Sequence, residues 1–245
     1  MRELPPGQTA PIGPAGSRGR DPGPRPSAGA RESARRYDDW YATPQGSQIA
    51  RAEEALLGEL LVLLGPVRTA LEVGCGTGHF TRWLASQGVE SMGLDLSAEM
   101  LAVARERSPG VRYLQGAAEA LPFPGGAFDV VAFVTSLEFV ADQERALVEA
   151  ARIARPGILL GVLNLASPLG LYRKILSRFR PSRYRHARFF TPWGLERWVR
   201  RLLGDRVERV TARTAVWPRV VPLGPSRLPF GAFIGAVVVL EDVGR

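Results

Sequence analysis

The residues best suited to chemistry lie in one short stretch, Leu71-Glu72-Val73-Gly74-Cys75-Gly76-Thr77-Gly78, between an apolar run and a helix-forming one. Glycine at such a junction lets the backbone turn tightly and come close to a ligand. The spacing is G-x-G-x-G, not the G-x-G-x-x-G of dinucleotide binders. One acid, Glu72, precedes the first glycine by two residues. A second, Asp95, ends the next expected strand, 21 residues after Gly74. A carboxylate at that point can accept hydrogen bonds from both hydroxyls of an adenosine ribose. The pattern predicts a nucleoside-bearing ligand.

Side chains that could move a proton are few. His186 lies in a basic segment, Glu138 follows an apolar run, and Tyr37 precedes the first long helix. Each is a candidate base or substrate contact, and a structural role fits each equally well. His79, directly after the glycine stretch, reads as a structural residue in the first turn of its helix.

Alternating strands and helices must position these groups. Ser47–Leu64 repeats apolar residues at helical spacing and stops at Gly65-Pro66. Strands are expected at Thr69–Val73, Glu90–Asp95, Val111–Gln115, Phe128–Val134 and Ile158–Asn164. Helices are expected at Thr77–Gln87, Ser97–Arg107 and Asp142–Ala154, with Ser97 as an N-cap. Thr191-Pro192 opens a further helix that Gly204 closes. Val207–Val216 and Phe230–Leu240 read as two last strands. Such alternation predicts a parallel sheet covered by helices on both faces.

At these residues the chain resembles class I S-adenosylmethionine-dependent methyltransferases, of the type 11 group that includes the quinone-biosynthesis enzymes. Gly93-Leu94-Asp95-Leu96-Ser97-Ala98-Glu99-Met100-Leu101 is similar to the family's second motif, and Gly116-Ala117-Ala118-Glu119-Ala120-Leu121-Pro122-Phe123 to its third. Phe128-Asp129-Val130-Val131 resembles the fourth. Glu149 to Gly157 resembles the approach to the fifth strand, and Tyr37 to Pro44 an aromatic entry segment. The resemblance implies a three-layer Rossmann-like sandwich, a mostly parallel seven-stranded sheet with an antiparallel last strand.

It also implies roles. Glu72, Gly74, Cys75, Gly76 and Gly78 would form the cofactor loop, with Gly74 and Gly76 facing the methionine and Glu72 ordering its amino end. Asp95 would hold the ribose. Leu96 and Met100 would pack on the adenine, and the backbone near Ala118 would meet its edge. Thr135 and Ser136 would lie beside the reacting methyl. Family members often carry Asp where this chain has Ala117, which removes one polar contact to the adenine, worth about 0.5–1.5 kcal/mol.

Charge divides the chain. Residues 1–36 are rich in Pro, Gly and Arg, carry a net +4, and read as a disordered tail ahead of a domain spanning 37–245. Residues 37–167 carry −7 and residues 168–227 carry +12. The stretch 168–190 reads as a basic lid over the substrate. It fits an anionic or lipophilic small acceptor, and leaves open an RNA-modifying methyltransferase. A non-catalytic protein that keeps the fold is a further alternative, suggested by Ala117, whereas the glycine spacing disfavours a nicotinamide-dependent oxidoreductase. One Cys and two His nearly exclude structural zinc and rule out an internal disulfide, which fits a reducing cytosol. The longest late uncharged run, Leu228–Leu240, is too short to span a bilayer as a helix, and no secretory signal is read at the start.

Overall fold

The buried strand Phe128–Val134 (β4) shows how the sequence builds the sheet. Val131 and Phe133 point to one face, Val130, Ala132 and Val134 to the other, and all five are buried. A strand apolar on both faces must lie inside a sheet with helices above and below. The computed structural model, which describes residues 28–179, 187–216 and 224–241, places it there.

The remaining strands are β1 (Thr69–Val73), β2 (Glu90–Asp95), β3 (Arg112–Gln115), β5 (Ala154–Leu163), β6 (Val207–Ala215) and β7 (Phe233–Leu240). They form one seven-stranded sheet in the order β3-β2-β1-β4-β5-β7-β6. β7 runs antiparallel to both neighbours, whereas the pairs among β1 to β5 are parallel. The chain builds outward from β1 to β3, then returns to start β4 on the other side of β1. That reversal opens a crevice at the carboxyl ends of β1 and β4.

The helices are α1 (Ala28–Ala42), α2 (Pro44–Leu61), α3 (His79–Ser86), α4 (Ala98–Arg107), α5 (Gln143–Ile153), α6 (Pro168–Phe179) and α7 (Pro192–Leu203). α5 and α7 bring Leu147, Ile153, Trp198 and Val199 onto the sheet face that holds Val131 and Phe133. α2 and α3 bring Leu56, Leu57, Leu60, Phe80 and Leu84 onto the opposite face. The expected caps form. Ser97 accepts from the Met100 amide at 3.2 Å, Thr191 from that of Gly194 at 3.1 Å.

Of the stretch 1–36 read as a tail, the structure shows residues 28–36 to be helical. Helix α1 already begins at Ala28, although residues 1–27 lie outside the described residues. Its apolar content is low, and distant ion pairs add to the packing of Tyr41 on His79 and Phe80. Arg31 and Arg35 reach Glu106 on α4 at 2.6 and 3.0 Å, while Arg107 reaches Asp38 and Asp39 at 2.9 and 2.7 Å. Ala34 packs beneath, 1% exposed. Of the expected lid 168–190, Pro168–Phe179 forms α6 and residues 187–190 return to β5, where Phe190 donates to the Leu163 carbonyl at 3.1 Å.

Candidate active site

The turn after β1 closes through glycines that take positive φ: 73° at Gly74, 54° at Gly76 and 78° at Gly78. The Gly74 amide donates to the Leu94 carbonyl at 2.7 Å, tying the turn to β2. The Gly76 amide donates to Asp95 Oδ2 at 2.7 Å, and the other carboxylate oxygen accepts from the Ser97 amide at 2.8 Å. Asp95 thus braces two loops at once. Each carboxylate oxygen retains a second acceptor site.

A cleft of about 470 Å³ opens beside this turn. Its wall includes Tyr37, Gly74, Gly76, Asp95, Leu96, Met100, Ala117, Ala118, Thr135 and Ser136, so ten residues singled out in the sequence converge on it. Leu96 stands 71% exposed, an apolar surface offered to the cleft. Both glycine amides are used within the protein, so their N–H groups brace the loop and do not face the cleft.

Glu72, Cys75 and Gly78 lie behind that wall. Glu72 is 1% exposed, with its carboxyl accepting from the Thr81 hydroxyl of α3. Burial pushes its pKa up to about 8, with Asp95 adding to the rise, while the hydrogen bond from Thr81 opposes it. Cys75 is buried, and burial raises its thiol well above the usual range. Gly78 caps α3 under Tyr113, whose hydroxyl lies 2.3 Å from where a Cβ would sit.

A second cavity, about 370 Å³, adjoins the first. Tyr37, Thr135 and Phe139 line both. The second is walled further by Trp40 and Tyr41 of α1, Glu53 of α2, Arg173 of α6, Val216 after β6 and Phe233 of β7. Among the described residues, the non-glycine residues with positive φ are Thr135 (49°) and Val216 (61°), and both face this cavity. Both are β-branched, for which such a conformation is strained, and strain of this kind gathers at functional sites.

The proton-transfer candidates separate. Tyr37 lines both cavities. Glu138 is buried, and its Oε1 accepts from the Leu163 amide at 2.6 Å. Burial raises its pKa to about 7. His186 lies outside the described residues. His79 stacks on Tyr41 at 3.8 Å and bonds Glu54 at 2.9 Å, a structural placement. Sequence reasoning missed Glu53, and included Arg173 only within the basic stretch 168–190. Glu53 sits three and four residues before Leu56 and Leu57, on the buried stripe of α2, and an acid at an apolar position was the available signal.

Residues 71–161 match the family model described as a methyltransferase domain. The chain is 42% identical over 112 residues to malonyl-[acyl-carrier protein] O-methyltransferase of Pectobacterium atrosepticum, covering 44% of each chain. It is 37% identical over 193 residues to an uncharacterized protein of Mycobacterium tuberculosis, covering 78% of this chain and 63% of that one. It also superimposes on a crystal structure of an S-adenosylmethionine-dependent methyltransferase from Thermotoga maritima, at TM-score 0.67 and 26% identity. That likeness covers 85% of this chain and 96% of the other. The chain carries a methyltransferase domain of the S-adenosylmethionine-dependent family. Its matches span 44% and 63% of the length of these two curated relatives.

The cofactor of this family is S-adenosylmethionine, and the residues lining the first cleft fit it. A Cβ on Gly76 would project into open space, meeting only Tyr37 at 3.9 Å, so the missing side chain leaves room against the loop. Asp95 supplies acceptors for a diol, and Leu96 and Met100 supply apolar surface for a purine. Among the described residues, no helix is long and apolar enough to cross a membrane.

Proposed function

We propose that the protein transfers a methyl group from S-adenosylmethionine to a small-molecule acceptor held in the second cavity. The carrying observation is the shared wall of Tyr37, Thr135 and Phe139, through which the cofactor cleft meets a separate chamber. In this reading Asp95 holds the ribose, Leu96 and Met100 flank the adenine, and the Ala118 backbone meets its edge. Thr135 and Ser136 stand by the methionine, while Glu72, Cys75 and Gly78 support the loop from behind. The protein's part is to bring an acceptor atom into line with the methyl group, and such positioning supplies about 7–11 kcal/mol of barrier lowering.

S-adenosylmethionine supplies a methyl group already activated on a sulfonium. An acceptor that arrives as an anion therefore needs no base. The activity named for the Pectobacterium relative, O-methylation of malonyl-acyl-carrier protein, supports an oxygen acceptor here. For an acceptor that must lose a proton, Tyr37 is the candidate at the shared wall, with Glu138 behind it.

The test is calorimetric titration with S-adenosylhomocysteine and, separately, NADH. Binding of the first ligand alone is expected, and Asp95→Ala should weaken it at least about tenfold, since hydrogen bonds to a charged group are strong. Absence of S-adenosylhomocysteine binding at millimolar concentration would overturn the proposal.

A further inference from the structure

We propose that the second cavity selects acceptors bearing a carboxylate on an apolar body, with Arg173 and Arg36 recognising the charge. This deepens the function proposed above and rests on it. The cavity wall carries two guanidinium groups, Arg36 from α1 and Arg173 from α6, and one carboxyl group, Glu53 from α2. Tyr37, Trp40 and Phe139 offer aromatic surface between them. Guanidinium groups beside an apolar wall suit a planar carboxylate, which they can bind through paired hydrogen bonds.

Glu53 sets how positive the wall is. It is 8% exposed. Burial pushes its pKa up to about 8; Arg173 opposes the rise, whereas Glu138 after β4 and Glu54 on the same helix add to it. Tyr41 of α1 stands close enough for Glu53 to raise its own pKa further. At pH 7 Glu53 therefore holds its proton, and the cavity presents two positive charges and a neutral acid. Among the described residues, Arg36 makes only a 3.8 Å contact with Glu32 in an exposed pair, which competes weakly with a ligand.

An ammonium-bearing acceptor would meet two guanidinium groups and no ionised carboxylate at this wall.

Titration of the protein saturated with S-adenosylhomocysteine tests the inference, using octanoate, octylamine and 1-octanol as probes from pH 6.5 to 9. Octanoate should bind at least about tenfold tighter than either of the others at pH 7, and Arg173→Ala should remove that preference, as loss of a charge-assisted contact predicts. Affinity for octanoate should fall as pH rises through about 8, because ionised Glu53 then repels the anion and engages Arg173. Glu53→Gln should keep the affinity at pH 7 and abolish the fall. Preference for octylamine, equal or no binding of all three probes, or loss of octanoate binding in Glu53→Gln would each overturn the inference. Those results with intact S-adenosylhomocysteine binding leave the methyl-transfer proposal standing; failure to bind S-adenosylhomocysteine defeats that proposal itself.

Discussion

Ser136 donates its hydroxyl hydrogen bond to the Val73 carbonyl at 2.7 Å, and so lies directly against Gly74. A Cβ added to Gly74 would stand 2.5 Å from that of Ser136, on a backbone with φ of 73°. Gly74→Ala must therefore displace the end of β4 or unwind the turn. A loss of about 1–3 kcal/mol of stability is expected from the backbone strain alone. Urea denaturation reads the stability, and titration with S-adenosylhomocysteine reads the cleft, where affinity should fall as well.

Buried acids make stability fall as pH rises. Folded Glu72 has a pKa of about 8, against about 4.3 in an unfolded chain. Between those values the folded state keeps a proton that the unfolded state has released. Each pH unit in that window costs about 1.4 kcal/mol per such group, and the loss levels off above pH 8. Glu53 at about 8 and Glu138 at about 7 act in the same direction. The urea midpoint should be higher at pH 5.5 than at pH 8.5, with a shallower difference in Glu72→Gln. An unchanged slope in that variant would show that Glu72 ionises freely in the folded protein.

Ala117 lines the first cleft, at the position where the family resemblance implies Asp. Ala117→Asp should strengthen S-adenosylhomocysteine binding about two- to tenfold, the gain of one hydrogen bond. A calorimetric decrease in affinity would mean that the adenine edge does not lie there.

Thr135 holds a left-handed backbone conformation, φ 49°, while lining both cavities. Glycine adopts that conformation freely. Thr135→Gly should raise stability by about 1 kcal/mol as strain is relieved, yet lower affinity for S-adenosylhomocysteine. A thermal melt with a parallel titration separates the two effects. A variant improved in both would argue against a functional reason for the strain.

Much of the cofactor side was legible because its signals are local. β1, β2 and β4 have the limits expected from the sequence, since each lies between turn or helix signals in a strand–helix alternation. Ser97 and Thr191 cap their helices through side chains three residues from the amides they bind. Helix α1 was not legible ahead of Tyr37, because its partners Glu106 and Arg107 lie far along the chain. The second cavity was hidden for a related reason. Glu53, Arg173 and Phe233 become neighbours only once β7 inserts between β5 and β6, and no spacing in the sequence encodes that.

The two chambers draw on different parts of the polypeptide. Apart from Tyr37, every residue lining the cofactor cleft falls inside the stretch 71–161. Apart from Thr135 and Phe139, every residue lining the second cavity falls outside it, in the flanks on either side. On the function proposed above, the molecule is written as a reaction module bracketed by two specificity arms. Changes in the arms can redirect the choice of acceptor while the central module stays intact, so a new preference could arise by grafting the flanks alone.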